Sequence, residues 1–162
     1  MSRFALDDVR VIALMRAYLD AEYRWEWGGE WYPLRAGAPV PDLEATFPDG
    51  REFGLVSAWN PHSMVQPEEA NRSADTALHA ALRASGAVYR PAFSSARNRS
   101  WREPSWLTVD LPLAELDALG RRFGQLANLY CRRGEPLRLR MYHARPLALE
   151  AAFVDWLPAV AG

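Results

Sequence analysis

A nearly unbroken apolar run occupies residues 53–59 and ends at Asn60 and Pro61. Hydrophobic side chains at successive positions are typical of a strand that is covered on both faces of its sheet. Pro61 lacks an amide hydrogen and favours an extended residue before it, so the strand is expected to end at Asn60. Residues 60–66 then lead to a helix that begins near Pro67. The end of this central strand, next to a helix start, is therefore a candidate ligand cleft.

Helical spacing of apolar residues predicts four helices. They are expected at residues 7–23, 67–85, 112–123 and 146–156. Asp7 or Asp8 is placed to cap the first helix, and Gly86 is placed to stop the second. On the third helix, Asp117 and Arg121 have the spacing of an ion pair between successive turns.

Six strands are predicted from apolar alternation and turn residues. They occupy residues 43–47, 52–59, 87–90, 105–111, 125–131 and 137–142. The first two are expected to form a hairpin, because Asp49-Gly50 supplies the positive φ of a tight turn. From the second strand to the fifth, the order is βαββαβ, as in ferredoxin-like folds. We therefore predict a single α+β domain over residues 1–162, with a mixed β-sheet of about six strands flanked by helices and a ferredoxin-like core with added strands.

Residues 23–32 contain five aromatic side chains. We interpret this stretch as an irregular loop whose rings cover one end of the sheet. The alternative is a stacking platform for bases or sugars. Nucleic-acid platforms usually carry interleaved basic residues, and this stretch contains only Arg24, so the first interpretation is preferred.

Of the 162 residues, 49% are hydrophobic and 24% are charged, which is the composition of an ordinary globular domain. No apolar stretch approaches the ~20 residues that span a bilayer, so no membrane partner is expected. Residues 1–8 lack the apolar core of a secretory signal. Cys131 is the single cysteine and has no partner for an internal disulfide. Together these features favour a cytoplasmic protein.

Charge is unevenly distributed along the chain. All 19 basic side chains are arginine, and codon usage is the preferred explanation, since alanine is also abundant. Residues 1–80 hold 7 arginines and 13 acidic residues, whereas residues 81–162 hold 12 arginines and 7 acidic residues. This asymmetry indicates either an anion-binding face or two halves that neutralise each other, and the second interpretation is preferred.

Asn71 occupies a position that packing alone does not explain. It lies on the apolar stripe of the second predicted helix, one turn from its start. A buried amide needs partners for its donors and its acceptor. The neighbouring loop, residues 60–66, offers unpaired backbone groups, and contact with a ligand is the alternative.

Glu103 alternates with Ser105 and Leu107, so these side chains are expected on one face of a strand. A carboxylate directed to the interior must find a partner or shift its pKa. Arg97, Arg99 or Arg122 would supply a bidentate partner in a structural ion pair. The alternative is a general acid or base.

Arg122 and Gln125 are brought together by the expected helix end, Gly124 and the following strand start. An arginine at a helix C-terminus is favourable with the helix dipole whatever its function. That explanation does not account for Gln125.

Common cofactor motifs are absent. The chain has no dinucleotide-binding glycine fingerprint and no phosphate loop. Its three histidines are widely separated and it has one cysteine, so no zinc site is predicted. A Mg²⁺ or Ca²⁺ site made of carboxylates alone stays an alternative, but Glu68 and Glu69 are better explained as acidic residues of a first helical turn, and no metal ligand is assigned. The sequence names no cofactor.

Four blocks of this sequence resemble a family of uncharacterised bacterial proteins catalogued as domain of unknown function 3293. The blocks are SAWNP at residues 57–61, EEAN at 68–71, WREPS at 101–105 and RFGQLA at 122–127. The resemblance covers about residues 50–142. It implies a small cytosolic bacterial protein without an established activity, and it assigns no catalytic residue.

The leading hypothesis is a pocket at the end of the central strand. Its expected residues are Asn60, Asn71, Arg97, Trp101, Glu103, Arg122 and Gln125. It would bind a small polar or anionic ligand, such as a nucleotide-like one, with Trp101 as a stacking surface and the arginines as anion clamps. In an enzyme, Glu103 would be the general acid or base of a hydrolytic or transfer reaction.

The rival hypothesis is a module for protein interaction or self-association, without enzymatic activity. It uses the aromatic residues 25–32 and a last helix that exposes Leu149, Phe153, Trp156 and Leu157. Nucleic-acid binding through the arginine-rich second half is less expected, because the chain is nearly neutral overall.

Overall fold

The computed structural model describes residues 7–96, 102–147 and 149–158, in which eight strands form one sheet. In chain order, β1 to β8 are Glu22–Trp27, Glu30–Leu34, Glu52–Val56, Val88–Ser95, Arg102–Val109, Ala127–Arg132, Arg138–Met141 and Val154–Trp156. Their spatial order is β2-β1-β4-β5-β3-β6-β7-β8. All neighbouring pairs are antiparallel except β7 and β8. The predicted α+β class and mixed sheet are confirmed, with eight strands instead of about six.

Four α-helices lie in the described ranges: α1 at Asp8–Asp20, α2 at Pro41–Thr46, α3 at Glu68–Ser85 and α4 at Leu113–Arg122. Pro61–Ser63 forms a short 3-10 helix. Asp7 caps α1 by accepting a hydrogen bond from the Arg10 amide at 2.8 Å. Gly86 ends α3 in the left-handed conformation, as predicted. None of these helices is both long and apolar enough to cross a membrane.

The four central strands form the predicted core. β3 and β4 flank α3 in the chain, and both pair antiparallel with β5, which lies between them. β5 and β6 flank α4, and both pair antiparallel with β3. Each helix therefore connects two parallel strands that are separated by a third, which is the split βαβ arrangement.

Helices cover both faces of β3. Leu78 and Leu82 from α3 and Leu116 from α4 pack with Val56 on one face. On the opposite face, Val11, Met15 and Leu43 from α1 and α2 join the larger core cluster with Phe53 and Leu55. Four of the five residues of β3 are buried. The apolar run thus marks a central strand with a layer on each side, as expected.

The aromatic stretch forms the β1–β2 hairpin, so its interpretation as an irregular loop was wrong. Gly28 and Gly29 make the turn with φ of 60° and 86°, the two positive angles that a two-residue hairpin loop requires. Within the hairpin, Trp25 is completely buried, while Trp27 and Trp31 remain 43% and 42% exposed.

Two other predicted elements differ in type. Residues 43–47 are not a strand but belong largely to α2, which begins at Pro41. Proline at a first helical position is already in the helical φ range, which favours the helix. The predicted turn does form, since the Gly50 amide donates to the Phe47 carbonyl at 2.9 Å, but it joins α2 to β3 and not two strands. The predicted helix at 146–156 is also wrong: its end forms β8, which pairs in parallel with β7. Leu149 and Trp156 there pack against the core, not on an exposed helix face.

Asp117 pairs with Arg140 and not with Arg121 as predicted. The Arg140 guanidinium donates to both oxygens of this carboxylate at 2.9 and 2.8 Å, and the Tyr142 hydroxyl donates at 2.8 Å. The Asp117 and Arg140 side chains are each only 11% exposed. A long-range ion pair therefore joins α4 to β7, where the sequence spacing had indicated a local one.

Replacing Asp117 with alanine is expected to lower the free energy of unfolding by about 3 kcal/mol, because the largely buried Arg140 cation loses both hydrogen bonds to its carboxylate and keeps, among the described residues, only Asp155, at 3.9 Å. The matched control is Glu68→Ala, which removes the partner of Arg72 in a pair whose side chains are 72% and 67% exposed. We expect that control to cost less than about 1 kcal/mol. Urea unfolding of both variants checks this, and equal losses would contradict it.

Candidate functional site

A cleft of about 520 Å³ opens between α1 and the sheet, at the end of β3. Its α1 wall includes Leu14, Ala17 and Tyr18, and its opposite wall includes Leu126 and other apolar side chains of the sheet. Polar groups enter the cleft from separate elements of the chain. They include Tyr18, Asn60, Ser63, Glu103, Ser105 and Gln125.

Glu103 and Asn60 meet in this cleft. Asn60 follows the end of β3, and its side-chain amide donates to the Glu103 carboxylate at 2.7 Å. Glu103 lies near the start of β5 and shares its sheet face with Ser105 and Leu107, as alternation predicted. The strand ends therefore join an amide and a carboxyl group from positions 43 residues apart.

Asn71 supports this contact from behind. Its oxygen accepts the Asn60 backbone amide at 2.9 Å, and its side-chain amide donates to the Asn60 side-chain oxygen, also at 2.9 Å. The same Asn60 oxygen accepts the Gln66 amide at 3.0 Å. Asn71 is 3% exposed and is not part of the cleft lining. It therefore has the loop-anchoring geometry that the sequence favoured, and it holds Asn60 toward Glu103.

Residues 60–63 are held in an unusual backbone conformation. Asn60, His62 and Ser63 have φ values of 47°, 60° and 56°, in the left-handed region that residues with a Cβ rarely adopt. The His62 amide donates to the Gly124 carbonyl at 2.7 Å, which attaches the loop to the end of α4. A Cβ at Gly124 would lie 2.9 Å from the Pro61 side chain, so this approach needs a glycine.

Tyrosines form the wall opposite this loop. The Tyr18 hydroxyl makes a short hydrogen bond with the Ser63 hydroxyl, joining α1 to the loop. The Tyr23 hydroxyl donates to the Tyr18 carbonyl at 2.5 Å. Burial raises the pKa of Tyr18, and it raises the pKa of Tyr23 strongly. Both phenols therefore remain neutral hydrogen-bonding groups at neutral pH.

Burial also raises the pKa of the Glu103 carboxyl group, and the hydrogen bond from Asn60 opposes the shift only in part. Among the described residues, no arginine or histidine forms an ion pair with Glu103. Within the described residues, the raised pKa of Glu103 therefore has burial as its cause, and the Asn60 amide is the group that counteracts it.

Gln125 reaches the rim of the cleft. Its side-chain amide donates to the Trp59 carbonyl at 3.1 Å and to the Phe123 carbonyl at 3.3 Å, so it ties the segment after α4 to the end of β3. Arg122 lies elsewhere. It is exposed, its guanidinium sits 5.0 Å from the Phe123 ring centre, and it borders a shallow concavity between α3 and α4. The structure thus separates Gln125 from Arg122.

Arg97, Arg99 and Trp101 lie outside the described residues, so the structure places none of them. Two other arginines, Arg10 and Arg102, border the cleft and are exposed. In the described ranges, no group of three histidine, cysteine or acidic side chains is arranged to hold a metal ion.

A known family matches the part of the chain that carries much of this site. Residues 56–127 match the family described as Protein of unknown function (DUF3293). This match confirms the resemblance noted from the four sequence blocks. No curated protein and no solved structure matches the chain. The matched segment contains Asn60, Asn71, Glu103 and Gln125, but α1 and its Tyr18 precede it.

Sequence reasoning missed the contribution of α1 and β1. Tyr18 falls in the first predicted helix, residues 7–23, and Tyr23 at the start of the aromatic stretch that was interpreted as an irregular loop. The available signal was that each has a polar hydroxyl at a position expected to be buried, and a buried hydroxyl needs a partner. Ser63 had no local signal at all, because only its contact with Tyr18 brings it to the cleft.

Replacing Asn71 with alanine is expected to cost about 2 kcal/mol of unfolding free energy, because the Asn60 amide loses its acceptor in a half-buried site. Hydrogen exchange at the Asn60 amide should accelerate as well. Thr76→Ala on the exposed side of α3 is the matched control, with an expected effect below about 0.5 kcal/mol. Unchanged exchange at Asn60 in the Asn71 variant would show that this contact does not hold the loop.

The raised pKa of Glu103 predicts a pH-dependent effect of Glu103→Gln. The native state holds this proton more tightly than the unfolded chain, so wild-type stability falls as pH rises from the ordinary carboxyl pKa through the raised one. Glutamine keeps the shape and the acceptor oxygen but has no such loss. We expect the variant to gain stability relative to wild type between acidic and neutral pH, measured by urea unfolding at a series of pH values. A difference that is constant with pH would contradict this.

Proposed function

We propose that the cleft between α1 and the end of β3 binds a small organic ligand that has polar groups on an apolar body. The observation that supports this most directly is the 520 Å³ cleft with the Asn60–Glu103 pair in its wall. Small-molecule sites in proteins have volumes of roughly 300–1,000 Å³ and a few convergent polar groups in an apolar lining. The cleft has both properties.

The apolar part of the lining sets the shape of the ligand. Leu14 and Ala17 border the cleft from α1, and Leu55, Leu126 and Leu139 border it from the sheet side. A flat or compact apolar body between these walls would displace water from hydrophobic surface, which favours binding by about 25 cal/mol per Å² buried. A nucleoside-like or aromatic ligand fits this description.

The polar part supports a ligand with hydrogen-bonding groups more than a purely anionic one. The interior wall carries the Glu103 carboxyl group, while the bordering arginines, Arg10 and Arg102, lie at the exposed rim. An anionic substituent would therefore remain at the mouth. Nucleic acid and a second copy of the chain are less favoured partners, because neither would use this enclosed wall.

If the protein also catalyses a reaction of the bound ligand, Glu103 is our candidate for the group that transfers a proton. Its raised pKa brings the carboxyl group closer to the neutral range, where a group can both donate and accept a proton. Cys131 is a poor alternative as a nucleophile, because burial raises the pKa of its thiol to about 12. This buried single cysteine also supports our proposal that the protein is cytoplasmic.

Blocking the cleft tests the proposal. Ala17 is exposed on α1 and lines the cleft, so Ala17→Trp would fill its mouth, whereas Ala13→Trp places the same ring one turn earlier on α1 outside the lining. We expect a panel of nucleosides, nucleotides, sugars and aromatic metabolites to contain a compound that raises Tm of wild type and of Ala13→Trp but not of Ala17→Trp. A free ligand concentration of one hundred times Kd corresponds to about 2.7 kcal/mol of stabilisation.

Arg122→Ala tests whether the ligand binds in this cleft or in the wider pocket predicted from the sequence, which included Arg122. Because Arg122 borders the other concavity, its removal should leave the ligand-induced rise in Tm unchanged. Loss of stabilisation in Arg122→Ala, or equal stabilisation of both tryptophan variants, would place the binding site outside the cleft.

A further inference from the structure

We propose that the inner wall of the cleft recognises a hydrogen-bond-donating group of the ligand, such as an amidine, an amino-heterocycle or an amine, and that Glu103 and Ser105 are its acceptors. This inference rests on the proposed function of the cleft and names the chemical class of its ligand. It is carried by the arrangement of side chains on one face of three adjacent strands.

The acceptors form a row across the sheet. Glu103 on β5 pairs with Ser94 on β4, which pairs with Tyr23 on β1, and all three border the cleft. Ser105 lies two residues after Glu103 and therefore faces the same side. A carboxyl group and three hydroxyl groups are thus presented on one wall.

Ser105 has an unmet hydrogen-bonding requirement. The residue is 4% exposed and lines the cleft, yet its hydroxyl has no hydrogen-bond partner in the described part of the chain. A buried hydroxyl without a partner costs about 1–3 kcal/mol. Its neighbour Ser57 shows the usual situation, since that hydroxyl donates to the Pro104 carbonyl at 2.8 Å and accepts the Trp59 amide at 3.0 Å. A ligand group beside Ser105 and Glu103 would remove this cost.

The charge of the wall selects the class of ligand. Arg102 directly precedes Glu103 in the chain, but its guanidinium lies 3.9 Å from the Phe93 ring centre. No ion pair neutralises Glu103 within the described residues. A ligand anion beside Glu103 would be repelled, whereas a donor edge, and above all a cationic one, would make charge-assisted hydrogen bonds with the carboxylate.

Three probes of similar shape test whether the cleft prefers a hydrogen-bond donor to an anion: benzamidine, benzamide and benzoate. Each joins a phenyl ring to a planar group of similar size, and the three differ in charge and in hydrogen-bond donors. We expect benzamidine at millimolar concentration to raise Tm most, benzamide less and benzoate least, at constant ionic strength. Chemical-shift changes of the Ser105 and Glu103 amides locate the bound probe.

Glu103→Gln is expected to weaken benzamidine binding by about tenfold or more, because a hydrogen bond to a charged group is lost. Glu115→Gln is the matched control, since it makes the same change at an exposed residue bordering the other concavity. It should leave benzamidine binding unchanged. Equal binding of benzamidine to wild type and Glu103→Gln would overturn the proposed recognition.

The other outcomes separate this inference from the proposed function. Preferential binding of benzoate, blocked by Ala17→Trp, would overturn the donor-recognition inference and leave the cleft as a ligand site. No effect of any of the three probes would also overturn the inference, and the metabolite panel would then decide the function of the cleft independently.

Discussion

The side chain of Asn60 is the contact on which the geometry of the site depends. Its oxygen accepts from the Gln66 amide and from Asn71, and its amide donates to Glu103. One residue thereby fixes the end of β3, the first turns of α3 and the start of β5 relative to one another. Asparagine suits this role because it tolerates the left-handed conformation found here and offers both donors and an acceptor.

The cleft exists because α1 crosses the sheet only partly in contact with it. Val11 and Met15 are buried against the core, whereas Leu14 and Tyr18 border open space. Close packing at this point would enclose the half-buried Glu103 carboxyl group without solvent. The polar wall and the open space therefore belong together: a carboxyl group of raised pKa stays near the surface because the helix does not close over it.

The sequence predicted those parts of the fold in which local and long-range requirements agree. Apolar periodicity and capping residues located α1, α3 and α4, and the order of elements predicted the split βαβ core. The failures occurred where a tertiary partner decides the structure. Residues 146–156 have helix-forming alanines, yet Val154–Trp156 forms β8 because β7 offers a free edge. In β1, tyrosine and tryptophan alternate with charged residues, a period of two that the density of aromatic residues obscured.

The same distinction applies to the site residues. Alternation along β5 was sufficient to place Glu103 with Ser105, and the position of Asn71 on a buried helix stripe indicated its role beside Asn60. Arg122 was assigned to the site from its proximity in sequence to Gln125, but the chain turns at Gly124, where φ is 66°, and the two side chains diverge. The charge of the cleft wall depends on this turn, because the turn directs Arg122 away from the cleft. In the described part of the chain, the interior wall carries the Glu103 carboxyl group without Arg122, and the two arginines that border the cleft, Arg10 and Arg102, lie at its exposed rim.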